Sequence, residues 1–153
     1  MRGTQEDIVA PRSKALADVR ARLDSFSFCA SAFEYYGPLQ RLLRYVEQNP
    51  DELIGLAEAA AIGGQERHHF CAFFHRKVGV RFSVWNSHRR MMRALTALAT
   101  IDDTITRVAE HSGFSDLRTF ERHCVRWTGM APKRIREVLR LAGSTERASS
   151  IGR

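Results

Sequence analysis

Residues 105–129 read ITRVAEHSGFSDLRTFERHCVRWTG, and this stretch decides the fold because the chain carries its pattern twice. Leu56, Ala60 and Gly64 recur 49 positions later as Ile105, Ala109 and Gly113, while Phe70, Arg76 and Gly79 recur 50 positions later as Phe120, Arg126 and Gly129. One residue is therefore added in the second turn. Each unit is a short helical pattern around a central alanine, a glycine break, and a longer helical pattern with an aromatic near its middle. A small side chain at Ala60 or Ala109 lets two helices approach closely, and glycine tolerates the positive φ of a tight turn. Phe70 and Phe120 then pin the second helix of each pair to the first. The spacing predicts two helix-turn-helix units, over about 55–79 and about 104–129.

Helical periodicity extends along the rest of the chain, and no segment shows sustained strand-like alternation, so the expected class is all-α. Between the units, residues from about Ser83 to Ala99 predict a long linker helix with Trp85, Met92, Leu95 and Leu98 as its apolar stripe. Ahead of them, Leu39, Leu42, Leu43 and Val46 fall at helical spacing between Pro38 and Asn49-Pro50. Asp102, Asp103 and Thr104 offer capping groups to the second unit's first helix; Ser115 can cap its second, with Asp116 in the first turn. Ser13–Leu23 predicts an amphipathic helix, followed by an irregular aromatic segment, SFSFCASAFEYYGP. Pro132 begins a last helix, KRIREVLRLA, and GSTERASSIGR reads as a disordered tail. The expected organisation is an extension over 1–37, a homeodomain-like pair of helix-turn-helix subdomains over 38–140 with about seven helices, and a tail over 141–153.

Composition narrows the partner. With 153 residues and 44% hydrophobic content, the chain can bury one compact core or two small sub-cores, but not two large domains. The net charge of +7 is uneven: residues 1–66 hold seven basic and ten acidic side chains, residues 67–140 hold fifteen and six. Of the 24 basic residues 21 are arginine, whose planar fork suits phosphate oxygens and guanine edges. An anionic partner is expected. Three cysteines, Cys29, Cys71 and Cys124, have neither the number nor the spacing of a disulfide or zinc framework. No apolar run reaches the roughly 20 residues of a membrane span, and MRGTQEDIVAPRSK lacks a signal peptide's apolar stretch. The expected location is the cytoplasm, with no membrane partner.

These residues carry a family likeness. VAEHSGFSDLRTFERHCVRWTGMAPKRIR resembles the second helix-turn-helix of the AraC/XylS-type transcription regulators, including the Gly-Phe-Ser turn and the close from Gly129 to Pro132. LAEAAAIGGQERHHFCAFFHRKVGVRF resembles the first, and WNSHRRMMRALTALA resembles the connecting helix, with Arg90 and Ala94 in the expected places. The likeness covers roughly Leu39 to Arg140. It implies a seven-helix domain that binds promoter DNA and controls transcription, with RNA polymerase as a further candidate partner and no cofactor. Full-length members commonly carry a separate effector-binding or dimerisation domain. About 37 residues precede the likeness here, too few for the usual sugar-binding barrel, so a short stand-alone regulator, or one whose sensing part has been lost, is expected.

With Phe120 turned inward, Arg118 and Arg122 lie one turn apart on the outward face. They are expected to bond guanine O6 and N7 or phosphates, with Leu117 and Thr119 adding apolar and hydroxyl contacts and Glu121 either accepting from a cytosine amine or pairing with a nearby arginine. Carried onto the first unit, the matching places hold Arg67, His68, His69 and Ala72. Ala72 stands where the second unit has Arg122, so the first reader is expected to discriminate bases less. Phosphate contacts are expected from Arg76, Arg90, Arg126, Lys133 and Arg134, with Arg89, Arg93 and Arg136 as further candidates; Trp85 and Trp127 are expected in the core.

Other functions are weighed on the same residues. His68, Cys71 and His75 fall at i, i+3 and i+7 and are acceptable transition-metal ligands, which would suit a metal- or redox-responsive regulator. Only three candidates share that face, and no carboxylate joins them. A helical interaction module without DNA would explain the amphipathic helices, but not the arginine-rich faces or the paired spacing. No Ser/His/Asp set, paired carboxylates, P-loop or dinucleotide turn is present, which argues against an enzyme. A single chain with two readers suits one duplex site of two successive major-groove segments about 34 Å apart, so a monomer can bind.

Overall fold

A computed structural model describes residues 6–150, with side chains from Lys14 to Ser144. It is all-helical among the described residues, in the order α1 Glu6–Asp24, α2 Ala32–Tyr35, α3 Gly37–Gln48, α4 Leu56–Ile62, α5 Arg67–Val78, α6 Phe82–Thr100, α7 Ile105–His111, α8 Leu117–Thr128 and α9 Pro132–Ser150. The helices form two compact units. One spans residues 27–90; the other gathers the N-terminal helix, as far as Phe26, with the chain from Met91 onward.

In the first unit the core is Leu39, Leu42 and Val46 of α3, Ala59 and Ala60 of α4, Phe70, Phe74 and Val78 of α5, and Phe82 and Trp85 of α6. The aromatics meet edge-on or tilted, Phe74 touching Phe82 and Trp85 at 5.5 and 5.6 Å between centroids, the geometry ring quadrupoles favour. Ala59 and Ala60 are fully buried, so the missing side-chain volume lets α4 close onto α5. Asn86 donates from Nδ2 to the Ile54 carbonyl at 3.0 Å, tying the approach to α4 onto α6, and itself accepts from Arg89 Nη2 at 3.2 Å. The second unit repeats the plan with Met91, Ala94, Leu95 and Leu98 of α6, Val108 and Ala109 of α7, Phe120 and Cys124 of α8, and Ile135 of α9.

Gly64 and Gly113 take φ of +67° and +86° at the turns, the left-handed region that a Cβ disfavours. Arg41 seals the first turn, its Nη2 donating to the Gly63 carbonyl at 2.6 Å.

Four sequence expectations change. Met91, not Met92, lies in the core; Met92 is exposed, because the buried positions 91, 94, 95 and 98 form one i, i+3, i+4, i+7 face. The cap of α8 is Asp116 rather than Ser115. The last helix continues to Ser150, through most of the segment expected to be a disordered tail; residues 151–153 of that tail lie outside the described residues. The extension is also divided. Phe28, Phe33 and Tyr36 pack on the first core, but α1 packs on α8 and α9, with Val19 buried, Leu23 against the second core, and Phe26 edge-on to Trp127 at 5.1 Å.

Candidate nucleic-acid interface

The two longer helices share one exposure pattern. Phe70, Phe74 and Val78 of α5 and Phe120, Cys124 and Thr128 of α8 point inward at matched positions fifty residues apart. Helical geometry then turns the opposite face of each helix outward. On α8 the outward side chains are Leu117, Arg118, Glu121, Arg122 and Val125; on α5 they are Arg67, His68, His69, Cys71, Ala72 and His75. Every base-reading candidate on these helices is therefore exposed except Thr119, which is half-buried.

Thr119 is engaged locally. Its backbone N–H donates to Asp116 Oδ1 at 2.7 Å and its hydroxyl to Asp116 Oδ2 at 2.8 Å. Ser115 Oγ donates to the same carboxylate at 3.0 Å, and Arg122 Nη2 donates back to Thr119 Oγ1 at 3.4 Å. The amide and hydroxyl of Thr119, and the Ser115 hydroxyl, hold the Asp116 carboxyl below its usual range. Together they fix the first turn of α8 and lean Arg122 toward it. The first unit differs: Glu66 and Gly55, the caps of α5 and α4, offer no side-chain bond, whereas Thr104 caps α7 by accepting from the Arg107 amide at 3.2 Å. Glu66 pairs instead with His69 Nδ1 at 3.5 Å.

The phosphate candidates separate by burial. Arg76, Arg126, Lys133 and Arg134 are exposed, and Arg134 pairs with Glu137 at 3.2 Å. Arg90 is half-buried on α6, and desolvation pulls its guanidinium below the usual value. Arg93 and Arg136 are also half-buried, and Arg89 is committed to Asn86.

Among the described residues, no three His, Cys, Asp or Glu side chains are grouped to hold a metal ion. Cys124 is buried, and burial pushes its thiol up to about 12, so it is not a thiolate near neutrality. Trp85 is buried among Phe33, Phe74 and Phe82, and Trp127 is half-buried against Phe26. Val125, 52% exposed one turn beyond Arg122, is absent from the sequence expectations, and its match His75 enters them only as a metal ligand. Extending the i, i+3, i+4 spacing by one step would have found both.

A family model described as a helix-turn-helix domain matches residues 59–137, over half of the chain. The chain belongs to the AraC/XylS-type family. Solved structures share the fold of this AraC/XylS-type chain. The DNA-binding domain of the global transcriptional factor AdpA, solved in complex with a target DNA, is 24% identical, with 69% of this chain and 95% of that one covered and a TM-score of 0.63. An AraC-type regulator from Chromobacterium violaceum is 21% identical over 65% and 89% of the two chains, with a TM-score of 0.59. The C-terminal domain of the response regulator yesN from Fusobacterium nucleatum is 20% identical over 63% and 95%, with a TM-score of 0.58. No curated protein matches the sequence. The AraC/XylS-type chain is a DNA-binding transcription regulator and not an enzyme. No helix among its described residues is long and apolar enough to cross a membrane.

Proposed function

We propose that this regulator binds one duplex site of about two helical turns as a monomer, inserting α5 and α8 into successive major-groove segments. The observation that carries this reading is the shared exposure of α5 and α8: side chains buried at matched positions, and an exposed face on each helix that includes Arg118 and Arg122 on α8 and Arg67, His68, His69 and His75 on α5. Arg118 and Arg122 read bases on α8 with Leu117 beside them, while Thr119 chiefly orients Arg122. Arg67, His68 and His69 read the other half-site. Arg76, Arg126, Lys133 and Arg134 bind phosphates and set the register, which carries no sequence information; Arg90, half-buried, adds its charge from α6. The regulator works in the cytoplasm, and RNA polymerase at the promoter is its second partner.

The reading is tested by titrating a selected duplex and a scrambled one across ionic strength. Affinity for both should fall linearly in log–log form as counterions are released, and the selected duplex should bind at least ~10³-fold tighter at physiological salt. Equal affinity for the two would reduce the protein to a basic helical surface.

A further inference from the structure

Residues 29–36 do more than cover the first core. Together with the last turn of α5 they border an open cleft of about 620 Å³, within the range of small-molecule sites. Its walls are tied in place: the Cys29 amide donates to the Val78 carbonyl at 2.9 Å, and Gln40 Nε2 donates to the Glu34 carbonyl. Tyr36 packs edge-on to Phe73 at 5.7 Å and carries the Lys77 ammonium 4.6 Å from its ring centroid. Tyr35 meets Tyr36 edge-on at 5.0 Å yet stays 79% exposed. A large aromatic left open beside a charged recess is an available stacking surface. Arg76 and Lys77 supply two adjacent cations, and Glu34 a single carboxylate.

We propose that this cleft binds a free nucleoside monophosphate. Tyr35 stacks the base, Arg76 and Lys77 bind the phosphate, and Glu34 accepts from a ribose hydroxyl or an exocyclic amine. Two neighbouring cations suit a phosphate dianion, since Arg offers a planar fork and Lys a point charge. The acceptor at Glu34 favours a ligand that also carries donors over a compact carboxylate. The consequence for DNA rests on the proposed function: Arg76 cannot serve the ligand and a DNA phosphate together, so nucleotide and duplex weaken each other reciprocally.

The test uses the full chain without DNA, with AMP as the probe, by titration calorimetry. AMP should bind saturably, and at least tenfold more tightly than ribose 5-phosphate, which lacks the base. Tyr35→Ala, at an exposed position, should lose about that factor while Tyr35→Phe retains binding; Lys77→Gln should weaken both ligands. Arg118→Ala should leave AMP binding unchanged, which separates this site from the DNA readers. No saturable binding in the millimolar range, equal binding of AMP and ribose 5-phosphate, or indifference to Tyr35→Ala would each overturn the proposal. Should AMP fail to bind while, in a separate duplex titration, Tyr35→Ala weakens DNA binding, the cleft is a contact for flanking DNA and the nucleotide assignment is wrong. Because the assay contains no duplex, a failure of sequence-specific binding leaves its result intact.

Discussion

Asp116 Oδ1 accepts the Thr119 amide proton at 2.7 Å, and Oδ2 accepts the Thr119 hydroxyl proton at 2.8 Å. One carboxylate thus satisfies an orphan donor at the start of α8 and orients the side chain on which Arg122 leans. Replacing Asp116 by Ala should lower the unfolding midpoint and weaken specific DNA binding together. Asn caps about as well as Asp, so Asp116→Asn should keep the midpoint near neutrality. The folded carboxyl lies below its ordinary value of 3.8, so its stabilisation is present above that value and is lost as pH falls through the lowered one. Urea melts from pH 6 to pH 2 should show that loss in the native protein and not in Asp116→Asn.

Gly129 ends α8 at φ +77°, and a Cβ there would come within 2.9 Å of Arg22 Cζ on α1. Its match Gly79 has φ +87° with nothing within 4 Å. Both Gly→Ala changes should cost about 1–2 kcal/mol through the left-handed backbone. Gly129→Ala should cost more. Because the obstacle is a side chain, Arg22→Ala in the same background should remove the excess, as a double-mutant cycle would measure. Additive behaviour would mean that α1 does not press on this turn in solution.

Arg118 is exposed on the outward face of α8, while Arg134 lies exposed on α9 beside Glu137. Over a randomised site library, Arg118→Ala should relax preference at one base position at a cost of about 1–3 kcal/mol. Arg134→Ala should weaken all sequences alike and reduce the salt slope by roughly one. The same pattern from both variants would show that the division into base and phosphate contacts is wrong.

His88 is half-buried beside Phe28, and desolvation lowers its imidazole from the ordinary 6.5. A lowered folded value means the unfolded chain takes up the proton first, so stability should fall as pH drops below about 6.5. Comparing urea midpoints at pH 7.5 and 5.5, the native protein should lose more than His88→Leu.

Much of the fold was legible because its determinants are local. The paired helices, the glycine turns and the inward Phe70 and Phe120 follow from periodicity and backbone sterics, which act over a few residues. The outward placement of Arg118 and Arg122 follows from the same periodicity. The choice between Met91 and Met92 did not, because neighbouring faces of one helix differ by a rotation that only the packed partner resolves. Thr119 was likewise readable as a reader but not as the link between Asp116 and Arg122, since a hydroxyl's partner depends on the rotamers around it.

By itself the sequence determined an all-helical chain with a doubled helix-turn-helix and an arginine-rich outward face. Only tertiary structure decided where the extension goes. Leu16, Val19 and Leu23 make one apolar stripe that any open apolar surface could accept; α1 packs on α8 and α9, while the chain from Ser27 covers α5. Hydrophobic burial is non-directional, so the pattern says that a stripe must be covered, and only complementary shape selects what covers it.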